Sequence, residues 1–304
     1  MFGLVVCGAL AGCAFAAQDP APGVPVSMVV TVEAKRGKTV PAVEQQDLKV
    51  AEDRTPRAVT GFTPLRGEHG GLQLMLLVDD SARESFDTEI GSIKQWINSL
   101  PTGVEVAVGY MRNGMAAFTQ QFTADHGAAA NAVRLPFGAA GGDVSPYDSL
   151  SDAIKKWPVA KAERREVVMI SSGIEALGGG IGMDNPYVNK GIADAQRAGM
   201  VIFTIYSPSV GHYGHSFWRE TIGQSFLSQL ADETGGESYI NTIGPPVSFA
   251  PFLEEIGMRL QNQYLLTFDA KPEKKAGLQP VRVQVNHEDA DVAAADKVFV
   301  KASM

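Results

Sequence analysis

The chain has 304 residues, of which 45% are hydrophobic and 20% charged, and a formal net charge of −8. Such a composition is ordinary for a globular protein and long enough for one large domain or two small ones, while the acidic balance excludes a nucleic-acid binder, which needs a basic face. Both cysteines, Cys7 and Cys13, fall within residues 1–16, so the rest of the chain holds no disulfide of its own and must rely on an apolar core.

Residues 1–16 read as an export signal, an apolar run without charge that ends in Ala14-Phe15-Ala16, the pattern of a signal-peptidase site. The run is too short to remain in a membrane as a span. A second reading stands beside the first: Leu10-Ala11-Gly12-Cys13 resembles the lipobox of bacterial lipoproteins, where Cys13 would be cut and lipidated. An uncleaved anchor is the third. Residues 17–25, rich in Ala and Pro, read as a linker.

From 26 to 70 the pattern is one of short strands. Residues 26–33 alternate in polarity, Arg36-Gly37-Lys38 makes a turn, and strands at 48–52 and 58–62 flank Glu52-Asp53-Arg54. At 71 the pattern changes. Leu72, Leu74, Met75, Leu76, Leu77 and Val78 form a near-continuous apolar run that stops at Asp79, Asp80 and Ser81, as a strand buried on both faces does. Phe86, Ile90, Ile93, Trp96 and Ile97 then follow at helical spacing.

Strands and helices alternate through 262: strands at 104–110, 116–122, 166–171, 200–206 and 238–240, helices at 125–135, 147–157, 189–198, 225–234 and 249–260. This predicts an α/β domain over 71–262, a doubly wound, mostly parallel sheet with helices on both faces. The segments 263–269, 279–285 and 297–301 alternate in polarity with no helices between them, so they cannot extend a parallel sheet. Residues 263–304 are therefore expected to pack with 26–70 as a small β-module, with Val29 and Leu266 in one sheet apart from the 72–78 strand.

Carboxylates and a hydroxyl at the carboxyl end of a central strand, just before a helix, mark the edge at which open α/β sheets bind ligands. At Asp79, Asp80 and Ser81 the chain also resembles the von Willebrand factor type A (VWA) family, and secreted bacterial VWFA-related proteins in particular. In that family a strand ends in Asp-x-Ser-x-Ser; those oxygens, a Thr from a second loop and an Asp from a third hold a divalent cation in a metal-ion-dependent adhesion site. Here Arg83 stands at the second Ser, the second loop Gly141-Gly142-Asp143-Val144-Ser145 has no Thr, and Ser172 of Ser171-Ser172-Gly173 stands where the family has Asp. The stretches DLKVAEDRTPRAVTGF, LADETGGESY and RLQNQYLLTFDA extend the resemblance over most of the chain.

The resemblance implies a Rossmann-like VWA fold and a non-enzymatic module that binds another protein, through a degenerate cation site at Asp79, Ser81, Asp143 and Ser145. The cofactor is then either none or weakly bound Mg²⁺. A hard cation wants near-octahedral oxygens and charge compensation, and the fixed positive charge of Arg83 opposes it. Arg83 is expected to stand in for the cation, its guanidinium reaching Asp79 or Asp143. In a metal-free relic Asp79 would instead accept backbone N–H groups, and Asp80 is expected to face solvent or cap the helix.

The glycine run at 178–182 follows a strand but lacks the Gly-x-Gly-x-x-Gly frame and the Gly-Lys-Ser/Thr of nucleotide loops, so it reads as a surface loop. His212, Tyr213 and His215 lie in a loop at the same sheet edge, with no third ligand to make a metal site. Partner contacts are expected from Asp79, Arg83, Ser172, His212 and Tyr213. Two alternatives remain: an envelope scaffold or secretion accessory that does not bind through this edge, and a hydrolase or nucleotide-binding enzyme. The latter lacks a visible Gly-x-Ser-x-Gly elbow or carboxylate pair. Export places the chain in the periplasm or outside the cell, touching membrane only through a lipid at Cys13.

Overall fold

The fully apolar runs of this chain go to one sheet, and the alternating runs, apart from one edge strand of that sheet, go to two others. A computed structural model describes residues 23–37, 39–67, 70–82, 86–137, 145–158, 164–176, 184–208, 217–240 and 248–302. The segment read as an export signal, with Cys13, and most of the stretch read as a linker lie outside the described residues. So do Arg83, Asp143, the 178–182 glycine run, His212, Tyr213 and His215.

The first strands are β1 (Val24–Ala34), β2 (Leu48–Glu52), β3 (Thr55–Arg57) and β4 (Val59–Pro64). The α/β unit follows with β5 (Leu72–Asp79), α1 (Phe86–Ser99), β6 (Val104–Arg112), β7 (Met115–Thr123), α2 (His126–Ala132) and α3 (Pro146–Lys155). It continues through β8 (Arg164–Ser171), α4 (Pro186–Ala198), β9 (Val201–Tyr206), α5 (Phe217–Thr234), β10 (Ser238–Tyr239) and α6 (Ala250–Gln261). The chain then runs through β11 (Gln263–Ala270), β12 (Gly277–Val285), β13 (Ala290–Ala294) and β14 (Lys297–Val300).

The six-stranded sheet has the order β10-β9-β8-β5-β6-β7, parallel except where β7 runs against β6. The reversal comes from Asn113 and Gly114, both at positive φ (52° and 72°), the backbone of a tight hairpin turn. Counted within the unit, the strands run 3-2-1-4-5-6, and the order reverses between β5 and β8, where such sheets open a crevice at their carboxyl ends. Every residue of β5 is buried. Leu74, Leu76 and Val78 pack with Phe86, Ile93, Ile97, Leu253 and Ile256 of α1 and α6. On the other face Met75 and Leu77 pack with Tyr147, Leu150, Ile192, Leu227 and Leu230 of α3, α4 and α5. Each fully buried side chain of this kind contributes about 1.5–3 kcal/mol, which is why the sheet is held from both sides.

The two ends of the chain form two four-stranded sheets, β13-β1-β11-β4 and β14-β12-β2-β3. Met28 of β1 lies opposite Leu266 of β11, in a sheet separate from β5. Val30, Val50, Leu266, Phe268, Val281 and Val298 fill the space between the two sheets. The opposite face of β1 and β11 presents Val29 and Leu265 to the α/β core. Two strands escape the sequence reading: β13 is rich in Ala, a weak strand former, and β3 is a three-residue edge strand containing Pro56. Helix α5 begins eight residues before the expected 225, because its first half carries no apolar stripe.

One guanidinium ties the two units together. Arg164, the first residue of β8, is buried and donates from Nη1 to Leu260 O and Gln263 Oε1, each at 2.7 Å, and from Nη2 to Gly70 O at 3.1 Å. Residues 70–71 are the crossing into the α/β unit and residues 260–263 the crossing out, so both are fixed at one point. Arg259 adds a second tie, from α6 to Glu33 of β1 and Glu237 beside β10. Replacing Arg164 by Met strands two buried oxygens and one partly buried one, and a buried oxygen costs about 1–3 kcal/mol when left unpaired. Arg164→Met is expected to lose about 3 kcal/mol or more in urea denaturation; a loss under about 1 kcal/mol would show that the crossings hold without it.

Candidate functional site

β5 delivers Asp79 to the crevice, where Ser171 at the end of β8 meets it. Asp79 Oδ1 accepts the Ser81 N–H at 2.8 Å and the Ser81 hydroxyl at 2.6 Å, and Oδ2 accepts the Ser171 hydroxyl at 3.2 Å. Asp79 is only 3% exposed. Burial pushes its carboxyl above the usual range, the bonds from Ser81 and Ser171 pull it back, and the charge of Asp80 raises it further.

Asp80 is neither solvent-facing nor a helix cap. It is buried against Arg134, whose Nη1 donates to Oδ1 at 2.8 Å and Nη2 to Oδ2 at 3.4 Å, while the Phe137 N–H reaches Oδ1 at 2.9 Å. The guanidinium lies between the rings of Tyr110 and Phe137, with its carbon 3.8 Å from each centroid. Tyr110 exchanges hydrogen bonds with the backbone of Arg134, donating at 2.6 Å and accepting at 2.8 Å. The segment after α2 thus folds over the end of β5 and closes Asp80 off. No sequence signal marks this pair, because its partners stand 54 residues apart.

The second loop supplies Ser145, which caps α3 by accepting the Asp148 N–H at 3.1 Å and donates to Glu175 Oε2 at 2.5 Å. Glu175, three residues past Ser172, is an acidic group of this edge that the motif comparison passed over. Ser172 is buried and its hydroxyl accepts the Ile174 N–H at 3.4 Å, within its own loop. Gly173 has φ +68°, and a Cβ there would stand 2.2 Å from Gly223 O; a Cβ on Gly223 would stand 2.4 Å from Ser172 O. Two glycines therefore let α5 press directly on the third loop. The structure brings Asp79, Ser81 and Ser171 together and, separately, Ser145 with Glu175.

A divalent cation would need the oxygens of Asp79, Ser81 and Ser145 free to converge. Instead the Asp79 carboxyl accepts from its two serines, Ser145 serves α3 and Glu175, and the charge of Asp80 is spent on Arg134. Among the described residues no three His, Cys, Asp or Glu side chains are grouped as metal ligands. In this arrangement the described donors do not fit a hard cation, which calls for about six oxygens with compensating charge.

No family model matches the chain, and no curated protein matches it. By structure the chain is similar to a von Willebrand factor type A protein from Catenulispora acidiphila, with 12% identity and a TM-score of 0.47 over 96% of this chain and 76% of that one. It is similar to the conserved hypothetical protein BatB from Bacteroides thetaiotaomicron, with 11% identity and a TM-score of 0.46 over 62% of this chain and 97% of the other. A third likeness is to the SpRpn10 VWA domain, with 14% identity and a TM-score of 0.41 over 60% of this chain and 94% of that domain. No helix among the described residues is long and apolar enough to cross a membrane.

The Asp80–Arg134 pair yields a direct test. Removing one partner of a largely buried pair leaves the other charge uncompensated, at about 3–5 kcal/mol when fully buried and less here, since the Arg134 side chain is 27% exposed. Arg134→Met is expected to cost about 2–4 kcal/mol in thermal unfolding, and adding Asp80→Asn should recover part of it. If the double variant is no more stable than Arg134→Met, the pair is not what holds this loop.

Proposed function

We propose that the chain is an exported, non-enzymatic protein-binding module that meets its partner through the loops at the carboxyl edge of the six-stranded sheet, without needing a divalent cation. One observation carries this reading. The large apolar side chains exposed among the described residues are Met115, Leu135, Phe137, Phe217, Trp218 and Met258. All except Met258 sit at that edge: Met115 at the start of β7 beside the turn from β6, Leu135 and Phe137 on the segment over Asp80, Phe217 and Trp218 at the start of α5. Phe217 is 79% exposed, and Trp218 and Phe137 are each 69% exposed.

A single exposed apolar residue is normal, but several at one end of a sheet mark an interaction surface, and aromatic residues are the usual anchors of interfaces. The polar cluster beneath gives these anchors a rigid floor. Asp79 and Ser172, 3% and 4% exposed, act from below by fixing the loops. Arg83, which follows β5 in the chain, and His212 and Tyr213, which follow β9, lie outside the described residues and are proposed to join the contact. The reading of residues 1–16 as an export signal, lipidated at Cys13 or simply cut, places that contact in the cell envelope or outside it.

Affinity capture from an envelope extract tests the reading, comparing wild type, Phe137→Ser with Trp218→Ser, and Met258→Ser as a control at the opposite end. Buried aromatic anchors contribute about 2 kcal/mol or more each, so the double variant should lose its partner by roughly a hundredfold or more. The control, and wild type in a chelator, should keep it. A partner retained by the double variant would overturn binding through this edge and leave the scaffold reading.

A further inference from the structure

The joint between the sandwich and the α/β unit encloses a carboxyl group that the site does not use. Glu166, two residues past Arg164 on the same face of β8, is fully buried. No hydrogen bond of ordinary geometry reaches either carboxyl oxygen among the described residues, although the Gln263 side chain stands near enough to pull the carboxyl down slightly, and Thr31 Oγ1 on the facing strand is likewise unpartnered. Thr31 stands beside Gln263 across the β1–β11 ladder, and Gln263 Oε1 takes the Arg164 Nη1 hydrogen. The unpartnered polar atoms of β1, β8 and β11 thus lie where the two units meet.

Among the described residues, Arg164 is the one charged group that acts on Glu166. Its neighbours in the sheet are Leu74 of β5 and Val201 of β9. From the sandwich come Thr31 of β1 and Gln263 of β11. Arg164 itself directs three hydrogen bonds to neutral oxygens. Arg259 of α6 faces Glu33, Glu237 and Glu255 instead. Below Arg164 a cavity of about 590 Å³ opens between α1, α6 and the crossing at 65–72, a route by which solvent comes close to the joint.

We propose that Glu166 is a proton-operated latch on this joint: protonated, it lets the sandwich close on the α/β unit; ionised, it loosens that contact. The protonated group is a neutral side chain that tolerates a dry seam. The ionised group is a buried charge without full hydrogen bonding, which is strongly unfavourable unless something moves to meet it. Arg164 is the cation within reach, and turning toward Glu166 takes it off Leu260 O and Gln263 Oε1, the bonds that fix the exit crossing. The released proton passes to solvent, and no other reactant is needed.

Burial pushes the Glu166 carboxyl from 4.5 up to about 7, against smaller downward pulls from Arg164 and Gln263. A carboxyl raised on folding binds its proton more tightly in the native state. Its contribution is therefore whole below the unfolded value of 4.5, declines as pH rises, and is gone above about 7. The latch is closed in acid and open in mild alkali.

The test uses the full chain. A carbon-detected titration of the Glu166 carboxyl in wild type should give a midpoint near neutrality; a midpoint below about 5 overturns the latch. The folding constant of wild type should fall by up to roughly tenfold per pH unit between about pH 5 and 7 through this group, and Glu166→Gln should remove that part of the slope. Hydrogen exchange at 263–266, corrected for the intrinsic pH dependence, should show protection lost from pH 5 to 8 in wild type and kept in Glu166→Gln. Equal slopes, or equal loss of protection, in the two proteins also overturns it. If Glu166→Gln does not fold, the wild-type titration alone decides.

Discussion

A strand with both faces buried keeps its polar side chains mostly at its ends, and β5 does so, with Gln73 near its start and Asp79 at its finish. Its apolar run commits helices to both faces of the sheet and puts the strand at the centre of the order β10-β9-β8-β5-β6-β7. The first polar groups that the chain can afford then fall at the switch point, where β5 and β8 diverge. Asp79, Asp80, Ser81, Ser171 and Ser172 are close together because the core excludes them from everywhere else. The loops above them inherit a fixed base, and the exposed aromatics of this edge stand on it.

The same constraint explains what could be read from sequence. β5, β8 and β9 are legible as apolar runs, and α1 as a 3.6-residue stripe of Phe86, Ile93 and Ile97, because burial acts on consecutive residues and leaves a periodic trace. The direction of β7 depends on two positive-φ residues at Asn113 and Gly114, a local signal that the alternating pattern does not carry. β13 and β3 exist because neighbours pair with them, not because Ala290–Ala294 or Thr55–Arg57 favour a strand. At the site, the Asp-x-Ser element was legible because it is contiguous. Arg134 and Glu175 were not, because each meets its partner through folds of the chain tens of residues long.

Arginine solves three separate problems in this molecule with one chemistry. A planar guanidinium with several fixed donors holds oxygens that arrive from different directions, without the geometric demands of a metal. Arg134 does this for Asp80 under two aromatic rings, Arg164 for three neutral oxygens at the crossings, and Arg259 for three carboxylates between α6, β1 and β10. Reading Arg83 as a stand-in for a cation drew on this same chemistry. Among the described residues it is Arg134 that brings a guanidinium to the carboxylates ending β5, and it does so at Asp80 rather than Asp79.

β8 runs from the joint to the crevice, with Arg164 and Glu166 near one end and Ser171 at the other, roughly 23 Å apart along an extended strand. It is hydrogen-bonded on both sides, to β5 and to β9, over most of its residues. Sliding it by one residue would break both ladders and exchange the side chains that it presents to the two cores, so the strand resists displacement along its axis. Charge at Glu166 therefore changes how firmly the sandwich is held and leaves the position of Ser171 against Asp79 where it is. What the proposed latch acts on is the attachment to the α/β unit of the sandwich, which carries both ends of the described chain. If the proposed partner meets the far edge, the latch acts on the attachment behind that edge, while the ladders on both sides of β8 hold the edge itself in place.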